Sequence, residues 1–358
     1  RVARCLAAVP GLIGRVDHRA AVVGAVVRGV AIADHGAGTA GVDRDRGDGA
    51  GVGAGAVEVA ACAMCRTDLQ IVEGDLPAHQ LPVTPGHQVV GTVVAVGSSV
   101  DQTRVGQRVG LAWIASACER CRFCLEGREN LCPEAKFTGW DVDGGYAGQV
   151  VAKAEFAFDL SALGDRSSVS IAPMMCAGVI GYRALRIAGV GPGDAGRRVG
   201  LYGFGASARQ VLQMLRFWGI DTYVASRTRT EADQAMELGA LWAGLYDERP
   251  PVPLDAAITF APAGSVVVAA LRALDRGGVV AINAIHLDEV PSFAYDDLWL
   301  ERSLRSVANV TRRDVVEFID LVAQADLHTE FERLSFAEAN DGLRRMKAGE
   351  LRGSFVLV

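Results

Sequence analysis

The ten residues from Val199 to Ala208, VGLYGFGASA, constrain the fold of this chain more than any other segment. A short apolar strand runs into Gly203-x-Gly205-x-x-Ala208 and from there into ASARQVLQMLRFWG, a run with helical periodicity. Gly203 permits a tight turn, and Gly205 lets the backbone approach a pyrophosphate. The small Ala208 lets helix and strand pack closely, with the phosphates at the helix N-terminus. The pattern repeats between about Ser167 and Val310: DTYVAS precedes EADQAMELGA, LDAAITFA precedes GSVVVAALRAL, and GGVVAINA follows. Strands alternating with helices predict βαβ units on a parallel sheet. Gly203, Gly205, Ala206, Ser207 and Ala208 are therefore candidate dinucleotide contacts.

The end of the second strand bears on which dinucleotide. An acidic residue there would hold a ribose 2′-hydroxyl, whereas a 2′-phosphate calls for a small hydroxyl and arginine. The chain offers Ser226, then Arg227 and Arg229. NADP(H) is expected to be preferred, with NAD usable; the alternative is that the arginines form a solvated surface run.

Upstream, residues 83 to 112 read as short Val-rich strands with glycine-bounded turns, which suggests an all-β module. The tail reads as helix (RRDVVEFIDLVAQ), helix (FAEANDGLRRMKAG) and a final strand (GSFVLV). A chain of 358 residues is long enough for two domains with separate cores. The net charge of −6 and the absence of any Lys/Arg run speak against nucleic acid or an anionic membrane as partner. Apolar stretches such as Ala20 to Val27 are cut by charges well short of the roughly 20 residues a span needs, and no secretory signal is recognisable. The expected compartment is the cytoplasm, where clustered cysteines are more often metal ligands than disulfides.

Residues 1 to 56 differ in character. They contain no Phe, Tyr, Trp, Lys, Glu, Gln, Asn, Ser or Met, and from Gly36 onward they are almost wholly Gly, Ala, Val, Asp and Arg. Ordinary sequence resumes at Val57 with VEVAACAMCRTDL. Two readings stand: a non-native segment joined near Val57, or a divergent N-terminus.

Four of the eight cysteines, Cys118, Cys121, Cys124 and Cys132, are spaced Cys-x2-Cys-x2-Cys-x7-Cys. Three thiolates can converge from one tight loop and the fourth can complete a tetrahedron, which suits a structural zinc. An iron–sulfur cluster or redox thiols are the alternatives, and Pro133 after Cys132 keeps the first of these open. A filled four-thiolate shell leaves no position for substrate. Elsewhere, Cys65 in CRTDL, Cys176 in APMMCAGVIGY and His87 in PGHQVVG are the remaining candidates; taken singly, each reads more simply as a structural residue.

Taken together, CRTDLQIVEGDLP, PGHQVVG, the cysteine cluster, FTGWDVDGGYAG, APMMCAGVIGYRAL and GFGASA resemble the zinc-dependent alcohol dehydrogenases of the medium-chain dehydrogenase/reductase family. The resemblance runs from about Val57 to the C-terminus. It implies an α/β protein with a GroES-like β-rich catalytic domain over residues 1–177, completed by 313–358, and a Rossmann doubly wound cofactor domain over 178–312. It implies two zinc ions per chain. The catalytic one falls on Cys65, His87 and Cys176 with one position open, and the structural one on the four-cysteine cluster. Zinc there polarises the substrate oxygen while hydride passes between a primary or secondary alcohol and the nicotinamide.

By the same resemblance Thr67 takes the alcohol's proton and Asp68 orients the histidine ligand. Arg66 contacts the pyrophosphate, Ile180 packs on the nicotinamide, and Trp113 and Trp140 line the substrate pocket. A small-molecule substrate and a homo-oligomer, dimer or tetramer, are implied too. The chain departs from the family pattern in three places: Gln70 replaces a titratable His at the end of the proton relay, Gln88 replaces a Glu after the histidine ligand, and Ser354 replaces a cofactor-contacting Arg, although Arg352 is close. The alternatives within reach are a relative acting on polyols or aromatic alcohols, or a catalytically impaired zinc-binding relative.

Overall fold

The structure, a computed structural model, describes residues 53–350 and 353–358; residues 1–52, Leu351 and Arg352 lie outside the described residues. Two sheets organise the chain. In the first, neighbouring strands follow the order Phe331–Leu334, Ser354–Leu357, Ala54–Ala63, Gln88–Val96, Arg108–Leu111 and Ala157–Asp159. Gln149–Lys153 pairs with the first half of Ala54–Ala63, setting Ala54 against Lys153 and Val57 against Val150. All pairings are antiparallel except that of Phe331–Leu334 with Ser354–Leu357.

The strand Ala54–Ala63 contacts three neighbours, and three of its residues lie in the segment that the sequence sets aside as atypical. Glycine and alanine carry little strand preference of their own; here the ladder supplies the order that local propensity lacks. The short strand Phe331–Leu334, which the reading of the tail passes over, joins the sheet edge in parallel with the final strand. Four residues carry too few alternations to stand out as a strand.

The second sheet is wholly parallel, in the order Trp242–Leu245, Asp221–Ser226, Arg198–Tyr202, Leu254–Thr259, Leu274–Ile282 and Ser303–Ser306. Counted along the chain this is 3-2-1-4-5-6, the order of the Rossmann fold, whose ligands lie at the carboxyl ends of the strands where the order reverses. The central strands are apolar on both faces: Val199, Leu201, Val224, Ala256, Ala257 and Ile258 are buried. Continuous burial of this kind is what a sheet covered by helices on both sides requires.

The chain passes between the sheets through the helix Ala177–Ile187 and returns through Arg312–Gln324. Glycines set how closely these helices approach. A Cβ on Gly178 would lie 2.3 Å from the Phe318 ring, and one on Gly181 would lie 2.5 Å from Val211 of the helix Ala206–Phe217. The helical run Ser168–Ile187 is long and apolar enough to cross a membrane by length and composition, a signal absent from the sequence analysis above. Since 61 % of its most apolar window is buried inside the protein, that surface faces the core.

Asp314 locks the return helix in place. Its carboxylate is fully buried, accepts hydrogen bonds from the amide and hydroxyl of Thr311, and pairs with Arg183 at 3.0 Å and Arg186 at 2.9 Å. A buried charge without partners is heavily penalised, so removing one member of such a group costs far more than breaking an exposed pair. Asp314→Ala is expected to destabilise the fold by about 3 to 5 kcal/mol, read as a lowered urea midpoint. Asp326→Ala, at an exposed pair with Arg166, is expected to cost less than about 1 kcal/mol.

Candidate active site

Cys65 lies between the first strand and the helix Arg66–Glu73, as that helix's N-cap residue. Three residues on, Asp68 turns back and accepts the Cys65 amide at 2.8 Å, occupying one of the donors that a helix start leaves open. The other Asp68 oxygen accepts the Gly86 amide at 3.2 Å and meets His87 Nδ1 at 3.0 Å. Tyr146, from GGYAG, donates its hydroxyl to Asp68 at 3.2 Å. Asp68, His87 and Tyr146 are all buried. Burial and the Asp68 charge push the Tyr146 phenol well above its usual value, so it keeps the proton it donates.

Cys176 reaches the same point from the N-cap position of Ala177–Ile187. Two sulfurs and a His87 ring nitrogen, brought from positions 65, 87 and 176, lie within 4.8 Å of one another. Nδ1 is taken by Asp68, and the buried Nε2 has no hydrogen-bond partner among the described residues. The hydrogen bond from Cys176 holds the Cys65 thiol well below its usual value despite burial, with His87 adding to the effect, while the Cys176 thiol is raised. Burial pulls the His87 imidazolium down, yet Asp68 and the Cys65 sulfur carry it up to about 10. The donor set is one imidazole nitrogen, which would give up its proton on binding a metal, and two soft sulfurs, one readily anionic, and such a set fits zinc.

The second cluster forms a separate lobe. Cys118 and Cys124 sulfurs are 3.9 Å apart and Cys121 and Cys124 sulfurs 3.6 Å, and all four thiols are free. A disulfide would need sulfurs about 2 Å apart. A tetrahedron with metal–sulfur bonds of about 2.3 Å has edges of about 3.8 Å, which matches. Amides donate to these sulfurs: Cys121 to Cys118 at 3.4 Å and Glu134 to Cys132 at 3.3 Å. Backbone hydrogen bonds from Arg120 and Cys121 bring the Cys118 thiol down to about 7. Glu129, buried in this lobe, accepts the Arg312 amide at 2.8 Å, and Asn130 donates to the Ala308 carbonyl at 2.6 Å, so the lobe grips the start of the return helix.

In the cofactor half, Gly203 has φ +101°, and a Cβ there would sit 3.0 Å from the Ala261 amide nitrogen. Gly205 caps the helix Ala206–Phe217, and the place where its Cβ would stand is open space. Ala208 is fully buried at the contact between helix and strand. The Ser207 hydroxyl is occupied by the Ala177 carbonyl at 2.7 Å, which ties this helix to the Cys176 arm. Ser226 is also fully buried, its hydroxyl donated to Thr228 O at 2.9 Å. Arg229 is paired with Glu248, whereas the exposed Arg227 guanidinium has no ion pair among the described residues.

Arg66 is exposed and Thr67 half-buried on the first turn after Cys65, and Ile180 is half-buried one turn after Cys176. Trp113 meets the His87 ring edge to face at 4.6 Å and stacks on Phe137 at 5.6 Å and on Trp140 at 5.8 Å. Gln70 is half-buried; Gln88 is buried and donates to Ala63 O at 3.3 Å. Ser354 is buried in the final strand. A cavity of about 470 Å³ lies between the helix Ala206–Phe217 and residues 325–330. None of the three ligand residues lines it, so the ligand geometry and not the cavity marks the chemistry.

The sequence reading missed Tyr146, Phe137 and His79. Tyr146 stands in a quoted motif, and its flanking glycines signal a constrained turn. Phe137 opens the same motif, whereas His79 has no local signal, because its partners Trp140 and Asp141 come from a distant segment.

The alcohol dehydrogenase GroES-like domain family matches residues 52–162. A probable alcohol dehydrogenase, AdhA, of Mycobacterium tuberculosis is 44% identical over 308 residues, covering 84% of this chain and 88% of that protein. Among solved structures, a cinnamyl alcohol dehydrogenase from Sorghum bicolor aligns with TM-score 0.78 at 23% identity over 85% of this chain and 90% of its own. A CAD from Helicobacter pylori complexed with NADP(H) aligns with TM-score 0.76 at 20% identity over 86% and 91%. With Cys65, His87 and Cys176 converging beside a Rossmann sheet, and with relatedness over most of its length, the chain belongs to the zinc-dependent alcohol dehydrogenases of the medium-chain dehydrogenase/reductase family, enzymes that interconvert alcohols with aldehydes or ketones.

Proposed function

We propose that the chain transfers hydride between an alcohol and NADP(H), holding one zinc through Cys65, His87 and Cys176 and a second through Cys118, Cys121, Cys124 and Cys132. The observation that carries this reading is the convergence of the two sulfurs and a His87 ring nitrogen within 4.8 Å of one another, with the buried Nε2 having no hydrogen-bond partner among the described residues. A zinc ion bound there supplies Lewis-acid polarisation of the substrate oxygen. Three donors from the protein, Cys65, His87 and Cys176, would hold it there.

The chain's own groups do the rest. Asp68 occupies His87 Nδ1 and so keeps Nε2 as the donor, a role that Tyr146 and two backbone amides support by fixing the carboxylate. Thr67, on the helix turn after Cys65, accepts the alcohol's proton. Gln70 cannot titrate, so the proton leaves by water or a ribose hydroxyl. Arg66 and the amides beginning at Ala206 bind the pyrophosphate, and Ile180 packs on the nicotinamide. The 2′-phosphate is held by Arg227, since the Ser226 hydroxyl is committed to Thr228 and Arg229 to Glu248.

We further place the protein in the cytoplasm as a homo-oligomer. The free thiols support the first. The second is supported by the exposed Tyr295 and Trp299 beside Ser303–Ser306, the strand at one end of the parallel sheet.

Metal content tests the ligand assignment. Cys176→Ala is expected to lower zinc from two ions per chain to one and to abolish turnover; two retained ions with full activity would refute it. Asp68→Asn is expected to weaken metal retention in a chelator competition by about 10- to 100-fold. Arg227→Ala is expected to lower the NADP-to-NAD ratio of kcat/KM by about tenfold, the loss of one charge-assisted contact, and an unchanged ratio removes Arg227 from the cofactor site.

A further inference from the structure

The rings beside His87 extend further than the two tryptophans that the sequence singles out. Trp113, Phe137 and Trp140 lie 5.6 to 5.9 Å apart with interplanar angles of 19° to 26°. The outermost ring, Trp140, is pinned from both sides by one distant segment. His79 stacks on it at 4.0 Å and 25°, and the indole N–H donates to Pro77 O at 2.9 Å. Asp141 fastens this arrangement, since one carboxylate oxygen meets His79 Nδ1 at 2.6 Å and the other accepts the Phe137 amide at 3.0 Å. The His79 side chain is 49 % exposed, so the clasp is not explained by core packing.

We infer that His79 and Asp141 are positioning residues that hold Trp140 as the outer half of an aromatic wall, and that this wall selects flat, conjugated aryl alcohols and aldehydes over saturated aliphatic ones. The inference rests on reading the Cys65, His87 and Cys176 cluster as the place where alcohol and aldehyde are interconverted. The wall begins in contact with His87, so a substrate whose oxygen lies at the cluster extends its carbon skeleton along the rings. A flat conjugated skeleton gains offset stacking on rings already fixed in orientation, whereas a saturated chain gains buried area alone. Preorganisation gives the clasp its effect: an indole free to turn would have to be ordered by each substrate that binds.

The test compares reduction of cinnamaldehyde and butanal by zinc-replete wild type, His79→Ala and His79→Phe with NADPH. It also measures binding of the unreactive cinnamamide to each protein with cofactor, by tryptophan fluorescence. His79→Ala is expected to lower the cinnamaldehyde-to-butanal ratio of kcat/KM about fivefold, mainly through KM, and to weaken cinnamamide binding by a similar factor. His79→Phe, which keeps a ring to stack, is expected to restore most of both. A ratio unchanged in His79→Ala, or equal losses for both aldehydes, overturns the inference. If wild type reduces neither aldehyde, the catalytic reading fails separately, and cinnamamide binding decides the wall: weakened by His79→Ala it stands, unaltered it falls.

Discussion

A single buried carboxylate holds the site together. Asp68 accepts from the start of its own helix, from the loop bearing His87, from the His87 ring and from Tyr146. Four donors from three separate segments meet on the two oxygens of a fully buried carboxylate. Hydrogen bonds to a charged acceptor are stronger than neutral ones, and an unmatched charge at that depth would be heavily penalised. The geometry of Cys65 and His87 is therefore a by-product of satisfying Asp68. Only Cys176 arrives independently, from the segment that links the two sheets.

That linking segment is where the halves of the protein become one object. The Cys176 helix packs through bare glycine faces on Phe318 and Val211, carries the arginines that neutralise Asp314, and offers the Ala177 carbonyl to Ser207 just after the Gly203 turn. The four-cysteine lobe joins the same network through Glu129 and the Arg312 amide. Cys176, the helix after the Gly203 turn and the four-cysteine lobe thus share a short chain of direct contacts.

Much of this was legible in the sequence because it is local or periodic. The parallel sheet follows from strands and helices in alternation, and the tight turn from Gly203, whose positive φ the structure bears out. The four-cysteine loop is readable because its thiols lie within fifteen residues. What escaped is what depends on meeting at a distance. Tyr146 is 78 residues from Asp68 and His79 is 62 from Asp141, and no spacing rule connects either pair. The first strand escaped in part as well: Ala54, Gly55 and Ala56 carry no strand signal, and their place comes from two neighbouring strands, Gln88–Val96 and Gln149–Lys153. Ser226 illustrates a subtler limit. Its residue type suits a phosphate, but whether the hydroxyl is free is decided by the turn at Thr228.

The two cysteine clusters also differ in chain distance, and this sets an order of assembly. Cys118 and Cys132 are 14 residues apart, whereas Cys65 and Cys176 are 111 apart. Closing the longer loop costs about 2 kcal/mol more in chain entropy. The local loop can gather its thiols, and capture an ion, while the remainder of the chain is still unorganised. The dispersed trio cannot meet until both sheets and the linking helix are in place. In a nascent chain the bracing site is thus available first, and competence for chemistry arrives only with the finished fold.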